Sequence, residues 1–297
     1  MHTNFPKGIR CIFPIPNPPP SCRPHARMLG CGVPMTPTLP SGSGSAPIRV
    51  GIPWRTTKEQ QQGERKKLDY YFAAIKKAGA EPIDIRLNQP PAQLQAQLGE
   101  LDGFVLPGSP ADVDPSRYGA TKHLKTTELD ENRDRTDFAI LDHAFATGKP
   151  VLAICFGCQV LNVYLKGTLI QDLRAERPDS IAHGNTDLPP GAAKGDIEHP
   201  VDFKGGSLLA GWNGTAEGKI NSSHHQAIEK PGANLQITAK AADGIIEGVE
   251  WTGGPNWVVG VQWHPERMPN DALSQRLFAE FVTAAARSAR GSVVQKA

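Results

Sequence analysis

The stretch Pro150-Val-Leu-Ala-Ile-Cys155-Phe-Gly157-Cys-Gln159 carries an apolar strand pattern straight into a cysteine, and a helix pattern starts directly after it. Ala153 and Gly157 flank the cysteine two positions away on either side. Small neighbours are what a strand–turn–helix elbow needs, because the turn leaves little room around the nucleophile. Such a turn lifts the sulfur out at the carboxyl end of the sheet, where open α/β sheets bind ligands. It sets the sulfur at a helix N-terminus, whose dipole favours a thiolate, and turns the Phe156 N–H toward a developing oxyanion. Taken alone, the segment also fits a buried cysteine acting as a small hydrophobe. Cys158 completes a C-x-x-C that could form a redox dithiol, but its place one turn into the helix points to packing.

A thiolate nucleophile needs a base, and the base needs a group to orient it. Gly260-Val-Gln-Trp-His264-Pro-Glu266 offers both at the end of an apolar strand. Residues i and i+2 of an extended segment share a side, so His264 and Glu266 point the same way and Pro265 fixes the backbone between them. Phe104-Val-Leu-Pro107-Gly108-Ser109-Pro110 is a third strand end. Its Gly108 lets backbone approach a substrate and supplies a second N–H for an oxyanion.

These residues need a sheet to bring them together. Strand patterns at Ile48–Pro53, Glu81–Leu87, Gly103–Leu106 and Val151–Ile154 alternate with helix patterns at Glu64–Ala78, Pro91–Leu98, Asn132–Thr147 and Gly157–Leu165. That alternation predicts an α/β domain with a mostly parallel sheet flanked by helices. Beyond about residue 166 the pattern changes to short strand-like runs, Leu235–Ala241, Ile245–Trp251 and Trp257–Trp263, before a last helix over Asp271–Arg287. The long loop 107–127 includes Arg117 and Tyr118, which either close over a substrate or face solvent.

Residues 1–47 differ from the rest. They hold 11 of the 27 prolines, three of the five cysteines and four basic residues with no acid. That composition predicts a disordered proline-rich tail, or a spurious upstream extension of the reading frame, ahead of one domain over 48–297. The whole chain has a net charge of +2, whereas residues 48–297 hold 28 basic and 30 acidic residues. Neither figure suggests a nucleic acid or an anionic membrane as partner. The longest unbroken apolar run is far too short for a bilayer span, and no secretory pattern opens the chain, so a cytoplasmic location is the default expectation. Five cysteines do not make a disulfide scaffold, and no residues stand at zinc-site spacing, so neither metal nor cofactor is expected. No feature sets the oligomeric state, for which a homodimer is the default closed assembly.

Cys155-x-Gly157-x-Gln159 with a distant His264-Pro-Glu266 resembles the class I glutamine amidotransferases, whose fold is flavodoxin-like. Within them the chain is similar to the free-standing γ-glutamyl hydrolases of the C26 peptidase family. The supporting segments run in family order: Leu106–Gly119, Arg133-Asp134, Lys149–Gln159, Leu161–Leu173, Asn221–Ile228, Asp243–Glu247 and Gly260–Glu266. The resemblance implies hydrolysis of a small-molecule γ-glutamyl amide, of the γ-glutamyl-GABA type, through a thioester. It implies Cys155 as nucleophile, His264 as general base and then acid, and Glu266 as its orienter. It further implies Gly108 and Phe156 N–H groups as oxyanion donors and Gln159, His224 and Gln226 as substrate contacts. Two departures stand out: Phe156 where the branch often has Arg, which makes the mouth less basic, and Lys166-Gly167 where it has Gly-Gly. Two other functions fit the resemblance, a glutaminase subunit feeding ammonia to a synthetase partner and a non-catalytic binding or regulatory member.

Overall fold

Val151–Ile154 has no polar side chain, and the fold gives it no solvent to face, since all four residues are fully buried. A computed structural model describes residues 46–188 and 195–294. The proline-rich segment assigned to 1–47 lies outside the described residues except for Ala46 and Pro47.

The chain runs β1 (Arg49–Pro53), α1 (Thr57–Gln62), α2 (Leu68–Lys77), β2 (Glu81–Ile85), α3 (Pro91–Gly99), β3 (Gly103–Leu106) and α4 (Glu131–Thr147). It continues with β4 (Val151–Ile154), α5 (Phe156–Tyr164), β5 (Thr168–Ile170), α6 (Leu173–Glu176), β6 (Ile197–Phe203) and α7 (Leu208–Asn213). β7 (Glu217–Ser222), β8 (Ala227–Lys230), β9 (Leu235–Ala241), β10 (Ile246–Trp251), β11 (Val258–Val261) and α8 (Ala272–Val294) complete it. One mixed sheet orders its main path β2-β1-β3-β4-β11-β10-β9-β6-β7, with β8 paired to β10 and β5 to β8. From β2 to β11 every pairing is parallel, which is the flavodoxin-like order; from β11 onward every pairing is antiparallel.

Strand alternation splits the core into two. Val50, Ile52, Leu152, Ile154, Val259 and Val261 face Leu68, Tyr71 and Ile75 of α2 and Leu277, Phe278 and Phe281 of α8. Phe104, Leu106, Val151 and Ala153 face Leu94 and Leu98 of α3, Ile140 and Leu141 of α4, and Val160 and Leu161 of α5. A strand buried on both faces reads as a continuous apolar run, which is why β3, β4 and β11 were legible. α1 was not, because Thr57–Gln62 is TKEQQQ, buries only Gln60, and is held by its Thr56 cap, whose hydroxyl accepts from Glu59 N–H. Among the described residues no helix is long and apolar enough to cross a membrane.

Candidate active site

Register brings the three strand ends to one edge. Leu106 pairs with Ala153 and Ile154 with Val261, so Gly108, Cys155 and His264 leave neighbouring strands at their carboxyl ends. Cys155 sits between β4 and α5 with φ 52° and ψ −109°, a left-handed conformation that a non-glycine residue adopts only when its surroundings impose it. Those surroundings are visible. Its N–H donates to Val261 O at 2.8 Å, and a Cβ on Gly157 would stand 2.2 Å from Leu106 O. A larger residue at 157 would therefore push α5 off β3. Phe156 opens α5, where first-turn N–H groups have no acceptor within the helix.

His264 follows β11 with its ring at Cys155. Its Nδ1 lies 2.8 Å from Glu266 Oε1, and its side chain is hydrogen-bonded to Cys155. Burial works against a charge on His264, but the Glu266 carboxylate and Cys155 beside it outweigh burial and raise the imidazole to about 9. Burial also works against the Glu266 charge, and His264 overrules it, holding that carboxyl below its ordinary range. Asn221 at the end of β7 fixes the imidazole's backbone: its Oδ1 accepts from His264 N–H at 2.9 Å and its Nδ2 donates to His264 O at 3.0 Å. Arg267 pairs with Glu266 on one side, at 3.3 Å, and with Asp196 on the other.

The Gly108 loop is clamped from behind. Arg133, fully buried in α4, donates to Pro107 O at 2.7 Å and Arg55 O at 2.9 Å, while Arg55 donates to Gly108 O at 2.9 Å. A Cβ on residue 108 would meet His264 Cε1 at 2.8 Å, Tyr71 Oη at 3.1 Å and Cys155 Cβ at 3.4 Å, so only glycine fits between these groups. Residues 50–266 match the model of the Peptidase C26 family. The chain belongs to that family. A Mycobacterium tuberculosis protein assigned by its name to the glutamine amidotransferases is 36% identical over 222 residues, spanning 72% of this chain and 66% of that one. The gamma-glutamyl-gamma-aminobutyrate hydrolase PuuD of Escherichia coli is 34% identical over 217 residues, 72% of this chain and 84% of that one. The glutaminase domain of Trypanosoma brucei CTPS, solved with bound acivicin, shares the fold at TM-score 0.53 and 16% identity, covering 81% of this chain and 94% of that one.

In this peptidase C26 member several expected substrate contacts are engaged by the protein itself. Gly108 N–H, expected to face an oxyanion, donates to Tyr71 Oη at 3.0 Å. Tyr71 was legible only as an apolar face of α2; burial, then the Glu266 charge, holds its phenol well above its ordinary range. Phe156 is buried beneath the Arg133 guanidinium, 4.9 Å from it, rather than colouring the mouth. Gln159 Nε2 donates to Gln226 O at 3.0 Å and Gln262 Oε1 at 3.2 Å. Gln226 Oε1 and Gln262 Nε2, both buried, have no hydrogen-bond partner among the described residues. Both nitrogens of His224 face protein groups: Nδ1 lies 2.9 Å from Gln226 O and Nε2 3.5 Å from Glu247. His225 goes the other way, to Asp112 and Asp172. Arg117 pairs with Asp134, stacks on Phe138 and so does not close over the site. Cys158 is buried, with its thiol pushed up by that burial and its sulfur against Gly260. No spacing in the chain marks a metal-ligand cluster, yet the fold brings His183, His199 and Glu247 together with ligand atoms within 4.8 Å of one another.

Proposed function

We propose that this protein hydrolyses γ-glutamyl amides, of the γ-glutamyl-GABA type, through a thioester on Cys155. The observation that carries the reading is the left-handed Cys155 between β4 and α5 with the buried His264–Glu266 pair hydrogen-bonded beside it. Membership of the peptidase C26 family and the similarity to PuuD support the γ-glutamyl class.

An imidazole raised to about 9 is protonated at neutral pH, so His264 is placed to balance the negative charge of an attacking Cys155 sulfur. The thiolate attacks the γ-carbonyl carbon, a C–S bond forms and the carbonyl oxygen becomes an oxyanion. Phe156 N–H donates to it from one side. On the other, the Tyr71 hydroxyl accepts from Gly108 N–H and has its own proton left to donate. Collapse breaks the C–N bond as His264 gives its proton to the leaving amine. Water then loses a proton to the neutral His264 and attacks the thioester, which releases glutamate and restores the thiolate. Glu266 holds the ring and balances its charge. Flanking Gln159, the unpartnered Gln262 Nε2 donor and Gln226 Oε1 acceptor suit the carboxylate and ammonium of a glutamyl group.

The test is release of glutamate by the purified full chain from glutamine, γ-glutamyl-GABA, γ-glutamyl polyamines and polyglutamyl folate. We expect turnover of at least one γ-glutamyl amide without any partner protein. Inertness toward all of them until a synthetase is added would replace this reading with that of a glutaminase subunit.

A further inference from the structure

Outside the candidate active site, four buried side chains converge from four different segments. His183 lies after α6, His199 in β6, His224 between β7 and β8, and Glu247 in β10. Their exposures are 0%, 5%, 6% and 0%, so all four are buried. His183 Nδ1, His224 Nε2 and His199 Nε2 stand 3.3, 3.5 and 3.7 Å from the same oxygen, Glu247 Oε1. The rings fan around this point, with His183 centred 4.8 Å from His199 and 4.9 Å from His224.

The protons decide what the cluster is. Each imidazole has an acceptor on its outer nitrogen: Asp243 Oδ2 at 3.0 Å from His183 Nε2, Pro200 O at 2.9 Å from His199 Nδ1, and Gln226 O at 2.9 Å from His224 Nδ1. A neutral imidazole with its N–H on that side presents a bare lone pair on the other. The three inward nitrogens and both Glu247 oxygens have no hydrogen-bond partner among the described residues. With the N–H groups so placed, acceptors face acceptors in a buried pocket, a repulsion that a cation at the centre relieves and that a proton on one imidazole would otherwise have to offset. Outer N–H groups held by a carboxylate or a backbone carbonyl are also how metal-bound histidines are oriented.

We propose that His183, His199, His224 and Glu247 bind one divalent transition-metal ion of the zinc class. Imidazole and carboxylate are its donors, and a tetrahedron with arms of 2.0–2.1 Å has edges of about 3.3–3.4 Å, against 3.3–3.7 Å from Glu247 Oε1 to the three nitrogens and up to 4.8 Å across the group, so an ion would draw the imidazoles inward. The ligand atoms of His183, His199 and Glu247 stand within 4.8 Å of one another, and with His224 Nε2 drawn in as a fourth the shell is closed, which makes the ion structural. It ties β6 and β10 to two connections, and those connections border the candidate active site. His224 is two residues before Gln226, whose carbonyl holds Gln159, and Glu247 O accepts from Gln262 N–H at 2.8 Å, two residues before His264. The site stands independently of the proposed reaction.

The test strips the full-length protein with a strong chelator, offers zinc or cobalt(II), and measures bound metal by mass spectrometry after gel filtration. We expect about one ion per chain, a tetrahedral d–d spectrum with cobalt, and nitrogen and oxygen neighbours without sulfur in X-ray absorption. Zinc should also restore a melting temperature lowered by stripping. His199→Ala with Glu247→Gln should lose the ion, whereas Cys155→Ala should keep it. Since that double variant could fail to fold, the wild-type spectra carry the decision. Sulfur ligation, or a folded stripped protein that takes up no stoichiometric zinc, would overturn the site.

Discussion

The parallel half of the sheet and its antiparallel extension build their polar sites in opposite ways. Around Cys155 the groups come from short contiguous motifs at adjacent strand ends, and the main device is backbone. Cys155 is held at φ 52°, Gly157 is packed on Leu106, and Gly108 is threaded between His264 and Tyr71. In the extension, side chains at positions 183, 199, 224 and 247 meet only because β6, β10 and two connections fold over one another. The first site rests on a strained backbone position at a helix terminus, as a reactive atom would require. The second needs only convergent lone pairs, a requirement that ordinary strands can meet. The proposed chemistry thus belongs to the doubly covered part of the molecule and the clustered imidazoles to the part that extends it.

Substitutions can break this comparison, and the largest effects belong to the parallel half. His264→Ala removes both proton carrier and charge partner, so kcat/KM for glutamate release should fall by about 10⁴-fold or more. A loss of only tenfold in steady-state assays would remove His264 from the chemistry. Glu266→Gln should cost about 10²–10⁴-fold and also move the pH profile. Wild-type activity should fall on the alkaline side with a midpoint near 9, as His264 loses its proton. Without the Glu266 charge that limb should move to lower pH; an unmoved limb would mean that another group sets it. The linked stability has the same sign: the folded-state value is raised, so the contribution is whole below the unfolded value of about 6.5 and is lost as pH rises through about 9.

Tyr71→Phe separates the two oxyanion donors. If the phenol donates, kcat should drop about 10²-fold with little change in KM. Equal or faster turnover would return that role to Gly108 N–H, released from the tyrosine. The smallest effect concerns packing. Gly157→Ala should destabilise the fold by about 1–3 kcal/mol in denaturant titration, because its methyl group collides with Leu106 O. A neutral substitution would mean that α5 is free to shift and that the elbow is not held by that contact.

What the sequence made legible follows the same division. An apolar run ending at a cysteine with glycine two residues on, and a histidine and glutamate two apart, are local patterns. The chain carries them whether or not it is folded. Tyr71 was hidden because its ring completes the apolar face of α2, and its second role belongs to the hydroxyl alone, which meets a loop 37 residues away. The engagement of Gln159 with Gln226 and Gln262 was hidden for a like reason, since its partners lie 67 and 103 residues off. His183, His199, His224 and Glu247 are 16, 25 and 23 residues apart, with none of the short spacing that marks a metal motif. Asp243–Glu247 is legible as a family segment, but that Glu247 faces three imidazoles depends on the fold. Arg133 is likewise legible only as part of a motif, whereas its place at the back of the Gly108 loop depends on α4 lying against the loops that carry Arg55 and Pro107.

The central claim is that the γ-glutamyl group passes through a covalent bond to Cys155. Rapid acid quench during turnover of a γ-glutamyl amide, followed by peptide mass spectrometry, tests it most directly. The account predicts a γ-glutamyl adduct on the peptide containing Cys155, and Cys155→Ala should remain folded with neither adduct nor glutamate release. Undiminished glutamate release by Cys155→Ala would contradict it.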